Sequence, residues 1–558
     1  MPPPSHNITM GVFRLKQLSG FAGNKHCIIF GNTTTNQVNN TTYGINIYGE
    51  LYGEQTTAET ILQGYTTRGV EFIKQLDGAF IITITDGECL HIFRDLAGLK
   101  RLFYLPDEIF IFATSIADLC KFPNMKPELD NEGLAELFAI GPAITPGFGL
   151  LKGVQELPAG GYIKVNYAQN NRIHAEIYHN VTINPHEHSY GETIENVRYL
   201  LTSAIKKRMK GDICSMLSGG LDSSIISAVS QKELGAKPLP TYSFDFADSA
   251  LHFTSNTYQP ERDAPWALKT AAYLGTQHNI IECKVSDFAG LLYAAVDARG
   301  FPGMADVDSS LLYFMGRIGE SHTTALSGEC ADEIFGGYPW FRDDNPLTAF
   351  PWSKDIEARK ILLSDEFLNT VDLKIHAQRR FEEALADVPK NFHETQKTHY
   401  QMAYLNLKHF MAVLCERLDA MSLAGGVTAR VPFADTPLIE YMFNVPWAYK
   451  YRNNITKGLL RDTFKGLLPD DILFRKKSPF PKNYNPKYEK ILAEMTNDTI
   501  TPNSPIASIV DIKKIRKFIE APQNLGRPWF GQLMAGPQLL AYLLQINYWL
   551  KRFSIKLP

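Results

Sequence analysis

Ile213-Cys214-Ser215-Met216-Leu217-Ser218-Gly219-Gly220-Leu221-Asp222-Ser223-Ser224 is the stretch on which the reading of this chain turns. Its apolar first half reads as a short strand, its small residues as a turn, and Ser223 onward as the start of a helix to Leu234. Backbone N–H groups, hydroxyls and a helix dipole then converge on one place, an arrangement suited to the oxygens of a phosphate chain. Asp222 adds a carboxylate to the same turn. A carboxylate among phosphate ligands makes sense when a cation, most simply Mg²⁺, sits between them.

One Ser/Gly-rich turn also fits an ordinary strand-to-helix loop, but a second follows. Leu326-Ser327-Gly328-Glu329-Cys330-Ala331-Asp332-Glu333-Ile334-Phe335-Gly336-Gly337-Tyr338 is again an apolar segment ending in a small turn with acidic residues. The pair resembles the ATP-pyrophosphatase (PP-loop) domain of asparagine synthetases. That resemblance implies two turns facing each other across one site for ATP and Mg²⁺.

The chain has 558 residues, too many for one ordinary domain. Its 44% apolar and 21% charged content is that of a globular protein with ample core. A net charge of −3 gives no reason to expect nucleic acid or an anionic membrane as partner. Seven cysteines, scattered and never in a CxxC pair, read as reduced thiols of a cytoplasmic protein rather than zinc ligands or disulfides. The start, Met1-Pro2-Pro3-Pro4, lacks the pattern of a signal peptide, and no apolar run is long enough to span a membrane.

Residues 1–185 are expected to be strand-rich, with strands at Cys27–Phe30, Tyr43–Tyr48, Ala79–Thr85, Leu90–Arg94, Ile109–Thr114 and Gly161–Val165. One amphipathic helix, Ala58–Leu76, interrupts them, and Asn32–Thr42 reads as a surface loop. From residue 192 to 558, helices alternate with short apolar strands and then dominate, which predicts a parallel sheet covered on both faces and a helical end. The His-, Asn- and Pro-rich segment Tyr178–Ser189 is the boundary between the two parts. The fold class is thus α/β and α+β: by resemblance, a degenerate N-terminal-nucleophile αββα sandwich followed by the PP-loop domain.

Gly49-Glu50-Leu51-Tyr52, Leu76-Asp77-Gly78-Ala79-Phe80 and the run Arg94 to Tyr104 resemble landmarks of the glutaminase domain of asparagine synthetases. That family uses a cysteine next to the initiator methionine as nucleophile. Pro2 stands there in this chain, and the early thiol, Cys27, falls in a strand pattern. Tyr48 replaces the family's oxyanion-stabilising asparagine, the run Thr57-Ala58-Glu59-Thr60 lacks its amino-group acid, and its upstream arginine has no counterpart. The resemblance therefore implies a scaffold that does not hydrolyse glutamine.

Arg430-Val431-Pro432-Phe433-Ala434-Asp435 and Thr456-Lys457-Gly458-Leu459-Leu460-Arg461 match synthetase signatures of the same family. Arg475 to Lys482 and Arg527 to Met534 look closest to the longer bacterial asparagine synthetases. By position, the resemblance assigns the nucleotide to Leu217, Ser218, Gly219, Gly220, Asp222, Ser223, Ser224 and Gly328, and Mg²⁺ to Asp222 and Asp332. Lys477 aligns with a lysine that reaches the phosphates, and Glu329 with a glutamate that orients or deprotonates the amine. Asp263 is either a helix-capping acid or a nucleotide contact, Asp306 and Asp308 read as helix caps, and Lys457 with Arg461 reads as an anion contact or a surface ion pair.

The synthetase signatures also depart from the family at Ala420, Thr428 and Thr436, which are expected near the amino-acid substrate. Such defects together resemble the β-lactam synthetases, in which an amine of the substrate itself captures the acyl-adenylate. That branch has a tyrosine where Glu329 stands, and Glu416 is then the acid expected to complete a catalytic dyad. The implied activity is an AMP- and pyrophosphate-forming amide synthetase acting on an amino-acid-like carboxylate, with ring closure or amide formation in specialised metabolism (antibiotic biosynthesis included). An ammonia-dependent asparagine synthetase and a catalytically silent nucleotide-binding scaffold are the alternatives, and a homodimer is compatible with the sequence.

Overall fold

The computed structural model describes residues 18–558, apart from 24–25, 31–32, 39–40, 55, 124, 170 and 256–258. Pro2 lies outside the described residues. The first half is built from β1 (Ser19–Gly23), β2 (His26–Phe30), β3 (Thr33–Val38), β4 (Thr41–Tyr52), β5 (Asp77–Thr85), β6 (Cys89–Arg94), β7 (Phe103–Leu105), β8 (Phe110–Ala113), β9 (Gln155–Glu156), β10 (Gly161–Asn166) and β11 (Arg172–Ile177). They form two antiparallel sheets, ordered β2-β1-β8-β7-β9 and β11-β10-β6-β5-β4-β3.

Alternation along these strands sends one set of side chains into the space between the sheets, where Ile81, Ile92, Phe110, Phe112, Ile163 and Val165 meet. The other face of the six-stranded sheet, through Ile82, Ile84 and Phe93, receives Ile61, Leu62, Phe72 and Ile73 of two helices, Ala58–Arg68 and Val70–Ile73. Gly69, at φ +61°, divides what the sequence predicts as one helix. The expected loop Asn32–Thr42 instead contains β3 and the start of β4, paired from Thr33↔Asn46 to Val38↔Thr41. Polar Thr and Asn side chains hid that hairpin, because at a sheet edge the ladder does not require apolar residues.

On the five-stranded sheet, the outward residues Phe103, Ile111 and Ala113 join a core shared with the second half. Phe103 meets Phe301 edge to face at 6.3 Å. The second α layer of the sandwich is therefore partly supplied from beyond residue 185, and one hydrophobic core runs through both halves.

After the irregular stretch that follows β11, helix Tyr190–Arg208 opens on a capping box between Ser189 and Glu192. The second half then forms a five-stranded parallel sheet of β12 (Ile213–Met216), β13 (Pro240–Phe246), β14 (Gln277–Cys283), β15 (Thr324–Leu326) and β16 (Thr428–Arg430). Its order is β14-β13-β12-β15-β16. From β12 the chain builds outward in one direction and then returns to the other side, so a crevice opens beyond the carboxyl ends of β12 and β15. The long C-terminal helix Gly536–Arg552 buries Tyr542, Leu543, Ile546 and Trp549. Among the described residues, no helix is long and apolar enough to cross a membrane.

Charged pairs tie the halves together. Lys100 donates to Asp419, and its ammonium lies 5.4 Å from the Tyr48 ring centre. Arg430 grips Glu50 with two bonds of 2.7 Å. Arg208 bonds Asp435 at 2.9 Å and reaches Asp77 at 3.5 Å. Removing one partner of such a buried pair leaves an uncompensated charge. Lys100→Met is expected to cost about 3–5 kcal/mol, and the double variant Lys100→Met/Asp419→Leu to recover most of it. Urea unfolding of both variants checks this, and equal loss in the two would contradict it.

Candidate active site

The turn after β12 is shaped by three constraints. The Leu217 N–H is tied to the Tyr242 carbonyl at 2.7 Å, which fixes the strand end. Gly219 has φ +71°, and a Cβ there would lie 2.4 Å from the Trp266 backbone, so only glycine fits. Ser223 Oγ accepts the Ser218 N–H at 3.2 Å, closing the turn over the first residues of helix Leu221–Leu234. Leu221, Asp222 and Ser223 at that helix start line the crevice, and the first N–H groups of a helix have no partner within it.

Beyond β15, the Ser327 N–H donates to the Arg430 carbonyl at 2.9 Å. Helix Ala331–Phe335 follows, bounded by left-handed residues Cys330 and Gly336, each at φ +73°. The two turns touch: a Cβ on Gly328 would stand 3.1 Å from the Ser223 nitrogen and 3.2 Å from the Asp222 Cβ.

This contact brings Asp222 and Asp332 to one place. Lys457 Nζ lies 2.7 Å from both oxygens of Asp222 and 2.6 Å from Asp332 Oδ1, while Lys477 bonds the other oxygen of Asp332. Burial alone would raise the Asp332 carboxyl, but Lys457 and Lys477 hold it well below the usual carboxylate range. Burial would likewise lower the Lys477 ammonium, yet Asp332 and Asp222 lift it above its ordinary value. Two carboxylates and two ammonium groups, supplied by four separate segments, thus form one compensated cluster. The paired oxygen donors fit a hard divalent cation such as Mg²⁺, and the lysines fit the phosphates it would accompany.

A cleft of ≈ 1040 Å³, counting its open mouth, surrounds this cluster. Leu217, Ser218, Gly220, Asp222, Ser223, Asp263, Gly328, Glu329, Asp332 and Lys477 of the sequence-predicted set line it. Gly219 packs behind it against Trp266, and Ser224 is fully buried beneath the turn. Asp263 starts helix Asp263–Leu274, whose N-cap is Arg262. Rather than capping, its carboxylate holds Arg475 at 2.6 Å, and Arg475 donates onward to the Ser218 carbonyl at 3.1 Å. The lysine-bearing segment is thereby fastened to the phosphate turn.

Glu329 presents its carboxylate to the cleft with Arg417 at 2.9 Å. Glu416 does not reach it. Both Glu416 oxygens are taken by Arg299, at 2.6 to 2.9 Å, with Arg101 at 3.6 Å, in a buried anchor between the two halves. Asp306 and Asp308 are not side-chain caps either: Asp306 accepts from Gln538 at 2.9 Å and Asp308 from the Met304 N–H at 2.8 Å. Ala420, Thr428 and Thr436 do not line the cleft; Thr428 lies on β16, and the Thr436 N–H bonds Asp77 at 3.3 Å.

Lys457 is the residue the sequence undervalued. It sits at φ +54° before helix Gly458–Thr463, outside the helical face that spacing assigned to it with Arg461. Arg461 also lines the cleft, but its guanidinium is spent on the carbonyls of Thr456, Leu473 and Arg475. The Thr-Lys-x-x-Leu-Arg signature was the available signal, and its left-handed lysine was not legible from periodicity.

Two turns at the switch point of a parallel sheet, each carrying a carboxylate, define a PP-loop ATP-pyrophosphatase site. The asparagine synthase family profile matches residues 196–551, and a glutamine amidotransferase domain profile matches residues 44–178. The chain is 38% identical over 520 residues to asparagine synthetase [glutamine-hydrolyzing] 3 of Bacillus subtilis, covering 91% of this chain and 84% of that one. It is 26% identical to asparagine synthetase [glutamine-hydrolyzing] 1 of the same organism, covering 78% and 72%. The chain belongs to the asparagine synthase family of ATP-dependent amide ligases.

Lys477→Met is expected to lower AMP formation at least ~100-fold while Mg-ATP binding stays measurable by calorimetry; wild-type turnover would contradict the role of this lysine. A second test uses Glu333, whose carboxyl is raised to about 8 by burial and by neighbouring Asp332, with the Tyr338 hydroxyl donating to it at 2.7 Å. A carboxyl raised in the fold contributes stability that is fully present below its unfolded value and lost as pH rises through about 8. Glu333→Gln is therefore expected to gain on the wild type in melting temperature between about pH 5 and pH 8. Parallel melting curves across that range would contradict it.

Proposed function

We propose that the protein is an AMP- and pyrophosphate-forming amide synthetase that adenylates an amino-acid-like carboxylate and captures it with an amine, without hydrolysing glutamine. The observation that carries this reading is the asymmetry between the two halves. The charge cluster of Asp222, Asp332, Lys457 and Lys477 is complete. In the first half, Glu50 is committed to Arg430 and Tyr52, and Tyr48 is packed beside Lys100. Cys27 lies on β2 with its thiol pushed up to about 12 by burial, so it is not a nucleophile at neutral pH.

A substrate carboxylate oxygen attacks the α-phosphorus of ATP, the bond to the bridging oxygen breaks, and pyrophosphate leaves. The amine then attacks the acyl carbon, loses a proton, and AMP departs with the carboxylate's oxygen. Mg²⁺ held by Asp222 and Asp332 would neutralise the triphosphate. Lys477, tied to Asp332 at the mouth of the turn, places positive charge where the phosphate oxygens gather it. Glu329, oriented by Arg417, is placed to align the amine and receive its proton. Ring closure in the manner of the β-lactam synthetases, or amide formation in specialised metabolism, uses these same groups with an amine carried by the substrate.

An ammonia-dependent asparagine synthetase is the second reading, favoured by the retained Glu329 and by the similarity to asparagine synthetases. Release of AMP and pyrophosphate from Mg-ATP and L-aspartate, with glutamine or ammonium as nitrogen source, separates the two. The proposal expects no asparagine from glutamine. Asparagine with ammonium alone would establish the second reading, and asparagine formed from glutamine would overturn both.

A further inference from the structure

Beside the nucleotide cleft lies a second groove of ≈ 1290 Å³, counting its open mouth, and Pro479 lines both. Parts of its walls come from the segments Arg475 to Lys482 and Arg527 to Met534, and the rest from the start of helix Pro486–Thr499 and the stretch before the C-terminal helix. Six of its lining side chains are carboxamides: Gln259, Asn483, Asn485, Gln523, Gln532 and Gln538. A carboxamide offers one acceptor and two donors side by side, the complement of a peptide group.

Three of these are already occupied by the fold. Gln538 bonds Asp306 and the Ala535 N–H, Gln259 accepts from the Tyr484 hydroxyl, and Asn485 accepts the Lys487 N–H at 3.0 Å as a helix N-cap. Asn483 is different: it is 9% exposed, its Oδ1 accepts the Asn485 N–H at 2.9 Å, and its Nδ2 has no partner among the described residues. A buried donor left unmade is costly unless something else accepts from it. The strap itself points the same way. From Lys476 to Asn483 no backbone N–H or carbonyl is hydrogen-bonded within the chain, among the described residues. Pro479 and Pro481 keep it out of a helix. A segment whose backbone polar groups are unpaired offers them to a second chain laid alongside.

We propose that this groove binds an extended peptide segment of the acyl substrate, so that the carboxylate to be activated belongs to a peptide rather than a free amino acid. This rests on the amide-synthetase reading above and names its substrate class. The five residue steps from Lys477 to Lys482 span at most ~17 Å, so a peptide laid along the strap places several residues in the groove while its carboxylate stays near Lys477. Asn483 and Gln532, both lining the groove, then bond the peptide backbone. Backbone recognition depends little on sequence, which makes a simple probe a fair one.

The probe is a fluorescein-labelled Gly/Ser hexapeptide with a single Asp, followed by anisotropy on the full chain with Mg-ATP. Binding is expected, and Asn483→Leu and Gln532→Leu are each expected to weaken it at least tenfold while Mg-ATP affinity reports intact folding. Gln532 is half-exposed, so its variant decides the matter should the buried Asn483 variant fail to fold. No binding, or binding unchanged by Gln532→Leu, overturns the proposal. Carboxylate-dependent exchange of labelled pyrophosphate into ATP is run in parallel, and is expected with the hexapeptide well above that with L-aspartate. Exchange with aspartate alone overturns the peptide substrate. Peptide binding that Gln532→Leu weakens, with no exchange from any carboxylate, would uphold the groove and overturn the adenylation reading instead.

Discussion

Two carboxylates, Asp222 and Asp332, are held at one ammonium group, and much of the second half is arranged around that constraint. Like charges drawn this close repel unless a cation lies between them. Lys457 supplies that charge within the chain, Lys477 adds a second, and a hard cation with phosphates is the natural replacement. The constraint reaches back into topology: only adjacent parallel strands whose connections leave in opposite directions open a crevice for two turns to meet. It reaches forward into packing as well. A Cβ at Gly328 would crowd Ser223 and Asp222 at 3.1 to 3.2 Å, and Arg475 is pinned between Asp263 and the Ser218 carbonyl.

The first half is bound to this arrangement by groups that sequence would assign to a different task. Glu50 and Asp77, in stretches resembling a glutaminase, pair with Arg430 and Arg208, and Lys100 and Arg101 reach Asp419 and Glu416 on helix Met411–Ala424. Arg430 also supplies the carbonyl that holds Ser327 at the end of β15. One residue thus joins the amidotransferase-like domain to the acidic turn of the nucleotide site. That linkage gives the first half a structural role independent of glutamine chemistry.

Much of the site was legible because its residues come from local patterns. A strand, a Gly-rich turn and a helix start at Ile213 to Leu234 are encoded within a few residues, and so is the acidic turn after Leu326. What escaped was long-range. Lys457 looked like one of a helical pair because periodicity cannot show a left-handed backbone. Glu416 looked catalytic because sequence cannot show that Arg299 and Arg101 had already taken it. The same limit hid the hairpin at β3, whose edge position made its polar residues resemble a loop. It also hid β16, whose partner β15 lies far back along the chain.

The central claim is that Asp222 and Asp332 together hold the metal of a bound nucleotide, with Lys457 and Lys477 turned to its phosphates. A crystal structure of the protein with Mn²⁺ and a non-hydrolysable α,β-methylene ATP analogue tests it most directly, because the metal is located by its anomalous signal. The account predicts one Mn²⁺ peak between the two carboxylates, with the triphosphate lying over the turn from Ser218 to Ser223. A metal bound away from either aspartate, or a nucleotide outside this cleft, would contradict it.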